Sequence, residues 1–232
     1  LNKNNKLQHF LNIENLSKEH INEIIDLADN YISSNSNKFK DLEGKTIASL
    51  FFEPSTRTKT TFELASKRLS ADFINIDIAN SSTLKGESIL DMIKTLEAME
   101  CDMFIVRHSS SGTPHYIAKE VGDKISIINA GDGIHAHPTQ AMLDMYTIKK
   151  HKGGFENLNV SIVGDILHSR VAKSLIASLK ILSVANINII GPKNLMPENI
   201  NELGVNYFSN LEEGINNVDV IIMLRLQQER MK

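Results

Sequence analysis

One cysteine in a chain of 232 residues, Cys101, is too few for an internal disulfide or for a cysteine-rich zinc site. A reducing, cytoplasmic setting is the simplest expectation. No apolar run approaches the ~18 residues of a membrane span, so no membrane partner is expected. A signal-peptide pattern is missing from the start, which opens on Leu1 rather than methionine. Lys and Arg are scattered and the formal net charge is −3, so nothing favours a nucleic-acid partner. Anionic ligands would have to be attracted by local arginines against a mildly negative whole. There is no repeat at solenoid spacing, and biased composition is confined to the SSNSNK tract at 33–38. The remainder is 41% hydrophobic and 23% charged, which suits a folded chain with room for two compact domains.

Apolar spacing alternates regularly along the chain. Ile21, Ile24, Ile25, Ala28 and Ile32 share one face of a helix opening near Ser17, a suitable cap. Strands are expected at 45–52, 72–78, 102–107 and 125–129, with helices carrying Phe62, Ala65 and Leu69, then Ile89, Ile93, Leu96 and Met99, and a short one after Pro114. A longer helix is expected from Pro138 to His151, before Gly153-Gly154 breaks the pattern. A second series follows: strands at 158–164, 186–191, 205–208 and 219–224, a helix carrying Val171, Leu175, Leu179 and Leu182, and short helices after Pro197 and near 211–217. Strands alternating with helices predict parallel sheets covered on both faces. Two such series predict two α/β domains, 1–137 and 152–232, joined by the helix at 138–151.

The stretch FFEPSTRTKTTFELASKRL leaves an apolar strand and places Ser55, Thr56, Arg57 and Thr58 where a helix should begin. A helix N-terminus at the carboxyl edge of a parallel sheet offers unpaired N–H groups and a partial positive charge to an anion. The hydroxyls add donors and Arg57 adds a guanidinium fork matched to phosphate. Capping alone needs one hydroxyl, so four polar donors in a row favour anion binding over a plain cap. No glycine-rich run ends in Gly-Lys-Ser/Thr, which excludes a Walker loop.

This stretch resembles the carbamoyl-phosphate signature of the transcarbamoylase family, the aspartate and ornithine carbamoyltransferases. NAGDGIHAHPTQAMLDMYTI (129–148), VGDILHSRVAKS (163–174) and MLRLQQERM (223–231) are similar to the aspartate-using members in particular. The resemblance implies two doubly wound domains, one for carbamoyl phosphate and one for aspartate, with the second incomplete at the C-terminus because the family's chain continues past Lys232. It also implies the reaction of carbamoyl phosphate with L-aspartate to give N-carbamoyl-L-aspartate and phosphate, the committed step of de novo pyrimidine biosynthesis. Carbamoyl phosphate is a mixed anhydride and arrives activated. Transfer therefore requires positioning, a charged carbonyl oxygen stabilised and a phosphate neutralised, with no protein nucleophile.

By the same resemblance, Ser55, Thr56, Arg57 and Thr58 hold the phosphate. Arg107 is shared between phosphate and carbonyl oxygen, His137 donates to that oxygen, and Gln140 holds the carbamoyl amide. Ser81 (or Ser82 in an alternative register) and Lys85 fall on a loop that enters the neighbouring subunit's site, which implies a homotrimer. Arg170, Arg225 and Gln227 match the aspartate-binding positions, where planar guanidinium groups suit two carboxylates. Lys59 stands where many relatives have a second arginine and retains the charge. His135 and His137 are read as lacking an acidic or cysteine partner at metal spacing, so neither metal nor cofactor is expected. Whether a regulatory chain or dihydroorotase attaches to the trimer stays open.

Three other readings compete. Ornithine carbamoyltransferase would need a pocket for a cationic side chain, which Arg170 and Arg225 would repel. An inactive scaffold for a pathway partner should have lost its charged site residues, yet Arg57, Lys85, Arg107, His137, Arg170 and Arg225 are all present. A nucleotide-binding reading of 158–224 fails at GDILHSR, which lacks the GxGxxG fingerprint.

Overall fold

The computed structural model describes residues 7–76, 78 and 88–225, which fall into two compact units. The first takes in Leu27–Pro138 with the N-terminal segment to Leu11. The second takes in Thr139 onward together with Asn12–Asp26. Helix α1, Lys18–Ser33, opens where Ser17 accepts the His20 backbone N–H through its hydroxyl.

The first unit carries four parallel strands, β1 (Thr46–Phe51), β2 (Asp72–Ile76), β3 (Met103–His108) and β4 (Ser126–Asp132), in the order β2-β1-β3-β4. Helices α2 (Thr56–Arg68), α3 (Ile89–Ala98) and α4 (Thr113–Val121) connect them. Residues two apart on a strand share a face, and burial follows that period. Ala48, Leu50, Phe104 and Val106 pack with Met92, Ile93 and Leu96 of α3 and Ile117 of α4. Ile47 and Ile105 turn to the opposite face, against Ala71, Ala130 and Phe62 of α2. Cys101 is buried in the first of these clusters. Burial on both faces explains why β1 and β3 read as near-continuous apolar runs.

The second unit repeats the scheme. Helix α5 (Pro138–Lys152) leads to β5 (Asn159–Val163), α6 (Arg170–Ile181), β6 (Asn186–Ile190), β7 (Asn206–Phe208), α7 (Leu211–Gly214) and β8 (Val220–Met223), with strand order β7-β6-β5-β8. All described pairings in both sheets are parallel. A buried polar contact secures α7: Ser161 Oγ donates to the Gly214 carbonyl at 2.7 Å, and Asn188 Nδ2 donates to the same oxygen at 3.2 Å. No helix among the described residues is long and apolar enough to cross a membrane.

Two differences from the sequence reading have clear causes. Strand β4 runs to Asp132 rather than ending at 129, because its polar end is buried with hydrogen bonds. Asn129 Nδ2 donates to the Leu11 carbonyl at 2.8 Å and to Asp132 Oδ1 at 2.9 Å. The helix expected after Pro197 is a single 3-10 turn, Ile200–Leu203, with another, Lys193–Leu195, just before the proline, and the helix near 211–217 is one turn long. Too few apolar positions recur in either stretch to sustain an amphipathic helix.

Candidate active site

In each sheet the chain leaves one inner strand toward one side and returns on the other. The first sheet reverses at β1 and β3, the second at β5 and β8. Connections depart in opposite directions there, so a crevice opens outside the carboxyl ends of those strands. Every described candidate residue except Gln140 lies at or after the carboxyl end of one of these strands or, as with His137, in the turn following neighbouring β4.

Ser55 is the N-cap of α2, directly beyond β1, and makes no side-chain capping hydrogen bond among the described residues. The first N–H groups of α2 are thus left for an incoming acceptor. A cavity of about 420 Å³ lies beside this turn, lined among others by Phe52, Glu53, Ser55, Thr56 and Lys59. Arg57 is exposed and Thr58 half-buried on the first turn of the helix. Neither is among the residues lining that cavity.

Arg107 is the last residue but one of β3, opposite Phe51 of β1. Its Nε lies 2.7 Å from Glu53 Oε1, and both side chains are largely shielded, at 14% and 20% exposure. One terminal nitrogen donates to the Ala130 carbonyl at 3.2 Å and stands 3.5 Å from His137 Nε2. The guanidinium is therefore aimed by a carboxylate on one side and a carbonyl on the other, with the buried imidazole of His137 alongside. The guanidinium carries N–H donors, and the imidazole adds a second donor in the tautomer protonated toward a ligand, a combination suited to stabilising charge that develops on an oxygen. Glu53 had no role in the sequence reading. An acidic residue inside an otherwise anion-attracting turn was the available signal.

Gln140 sits on α5, where its Nε2 donates to Asp144 Oδ1 at 3.1 Å, one turn later. That bond leaves the amide oxygen as the end available to accept from a ligand N–H. Burial pushes the Asp144 carboxyl up to about 6, against a smaller opposing effect of the Gln140 hydrogen bond. Asp144 was also missed: an acid on a helix reads as solvated until burial is known.

In the second unit Arg170 opens α6 and is buried, next to Ser169, whose hydroxyl accepts the Ala172 N–H at 3.2 Å. Arg225 follows β8 and is exposed. Strands β5 and β8 are neighbours, with Val163 opposite Met223, so both arginines belong to the same edge of that sheet. Gly164 permits the close approach: its φ is +126°, and a Cβ there would stand 2.8 Å from the Leu224 carbonyl oxygen. Ser81, Ser82, Lys85 and Gln227 lie outside the described residues.

One expectation needs correction. His135 does have an acidic partner: its Nδ1 lies 3.0 Å from Asp132 Oδ2, and His115 joins the same cluster. Asp132 is only three residues away, but His115 comes from α4, a proximity invisible in linear spacing.

The fold and these crevices define an α/β protein of the doubly wound class with an anion-receptive turn in its first unit. Residues 8–150 match the family profile described as aspartate/ornithine carbamoyltransferase, carbamoyl-P binding domain. Among solved structures, aspartate transcarbamoylase from Trypanosoma cruzi in complex with aspartate and phosphate is 30% identical, with a TM-score of 0.86 over 97% of this chain and 78% of that one. The same enzyme in complex with carbamoyl aspartate and phosphate is 29% identical, with a TM-score of 0.86 over 96% and 76%. The catalytic subunit of M. jannaschii aspartate transcarbamoylase is 33% identical, with a TM-score of 0.83 over 97% and 76%. The chain belongs to the aspartate/ornithine carbamoyltransferase family.

Proposed function

We propose that this protein is an aspartate carbamoyltransferase, transferring the carbamoyl group of carbamoyl phosphate to the amine of L-aspartate. The observation that carries the reading is the Arg107–His137 pair at 3.5 Å, beside the N-terminal turn of α2. In the reaction the amine lone pair forms a C–N bond to the carbamoyl carbon, and negative charge builds on the carbonyl oxygen. The bond from the carbamoyl carbon to the bridging oxygen then breaks, its electron pair leaves with phosphate, and the proton lost by the amine passes to that phosphate or to solvent. Arg107 and His137 stabilise the carbonyl oxygen, and Ser55, Thr56, Arg57 and Thr58 receive the phosphate. Gln140, fixed by Asp144, accepts from the carbamoyl amide. Arg170, Arg225 and Gln227 select the two carboxylates of aspartate.

The likeness to aspartate-using relatives supports the aspartate reading over ornithine, as do two arginines at one sheet edge. The first unit is the carbamoyl-phosphate domain, the second the aspartate domain, and 138–151 the link between them. The product enters pyrimidine biosynthesis in the cytoplasm. The working assembly is a homotrimer in which Ser81 and Lys85 complete a neighbour's site. A regulatory chain or dihydroorotase would add to that trimer and would register as a larger species on sedimentation.

Phosphate release from carbamoyl phosphate with L-aspartate or L-ornithine tests the assignment, using the full-length enzyme and Arg57→Ala. Aspartate-dependent release, lost in the variant and absent with ornithine, is the expected result. A folded trimer that releases no phosphate with aspartate would instead be a scaffold.

A further inference from the structure

Beyond the transfer site, the first unit assembles His115, Asp132 and His135, whose ligand-type atoms all lie within 4.8 Å of one another. We propose that this cluster binds one transition-metal ion of the zinc type, independently of carbamoyl transfer.

The carboxylate is held before any metal arrives. Asp132 is fully buried; its Oδ1 accepts from Asn129 Nδ2 at 2.9 Å and from the Ala136 N–H at 3.1 Å. Its Oδ2 accepts from the Gly112 N–H at 2.7 Å and faces His135 Nδ1 at 3.0 Å. Carboxylates fixed by such outer hydrogen bonds make oriented ligands.

The turn bearing His135 is equally constrained. The Gly133 N–H donates to the His108 carbonyl at 2.9 Å, and the His135 N–H donates to the Asp132 carbonyl at 3.0 Å. His115 approaches from α4, its ring 5.4 Å from that of His135 and inclined at 68°.

Zinc bonds of ~2.0–2.2 Å in a tetrahedron place neighbouring ligand atoms roughly 3.3–3.6 Å apart. The His135–Asp132 separation is already near that range, and rotation of the half-buried His115 side chain supplies the approach of ~1 Å that remains. On binding, the metal takes the place of the proton between His135 Nδ1 and Asp132 Oδ2, and that proton passes to solvent. Two imidazoles and one carboxylate suit zinc, nickel or cobalt, whereas magnesium and calcium prefer oxygen ligands throughout. Water completes the shell, as in three-ligand zinc sites. The bound ion ties α4 to the turn that precedes His137.

The test is zinc binding by chelator-treated full-length enzyme, measured by competition with a chromophoric chelator, for the natural protein, His115→Gln and His135→Asn. Both rings are partly exposed, so these variants are expected to fold, and circular dichroism checks that they do. The expected result is one tight equivalent per chain, weakened at least ~10-fold in each variant. Visible absorption of the cobalt-loaded natural protein, expected to show the intense bands of a tetrahedral site, gives a measurement independent of the variants. No stoichiometric zinc, or zinc retained undiminished in either variant, or a cobalt spectrum of hydrated ion only would overturn the proposal. His135 and Asp132 would then be a hydrogen-bonded pair.

Discussion

Asp144 offers a sharp test of how burial and ligand positioning are linked on α5. Its carboxyl is pushed from 3.8 up to about 6 by burial, while the Gln140 amide holds one oxygen at 3.1 Å. A carboxyl with a raised pKa in the folded state binds its proton more tightly there than when unfolded. The protonated group therefore contributes fully below about pH 4, and that contribution is lost as pH rises through about 6. The shift of roughly two units corresponds to about 3 kcal/mol at 1.36 kcal/mol per unit, and partial solvent exposure reduces this to about 2. Asp144→Asn keeps an oxygen for the Gln140 donor and cannot ionise. The variant should match the natural protein near pH 4 and exceed its stability by about 2 kcal/mol near pH 7.5, read from urea unfolding across that range. Carbon-13 NMR of the side-chain carboxyl measures the titration directly. A stability difference that stays flat with pH, or a carboxyl titrating near 4, would refute the reasoning.

Two further substitutions probe the site's supports. Glu53→Gln removes the charge that aims the Arg107 guanidinium, at a largely shielded contact of 2.7 Å. It should lower kcat roughly tenfold, about 1.4 kcal/mol, without raising KM for carbamoyl phosphate; a higher kcat would mean that Glu53 merely masks the arginine. Gly133→Ala should destabilise the protein by about 2–3 kcal/mol in thermal or denaturant unfolding, since φ is +46° there and a Cβ would meet the Ser111 backbone nitrogen at 2.7 Å. Unchanged unfolding would show that the turn before His137 yields more readily than its packing implies.

Much of this protein was determined by local sequence. Apolar runs marked β1, β3, β5 and β8 as strands, of which β1, β3 and β5 are buried on both faces, because alternation and helical spacing are properties of a few consecutive residues. The hydroxyl-rich turn at Ser55 and the strand-end positions of Arg107 and Arg225 were likewise readable, since strand-to-helix junctions declare themselves locally. Resemblance, rather than spacing, singled out His137 and Gln140. Tertiary structure decided what no window of sequence holds. Strand order set β1 beside β3 and β5 beside β8, creating the two crevices. Burial raised Asp144, and the approach of separate segments brought Glu53 to Arg107 and His115 to Asp132. Such contacts join positions far apart in the chain. They exist only once the sheets have paired and excluded water, so they were beyond the reach of local spacing.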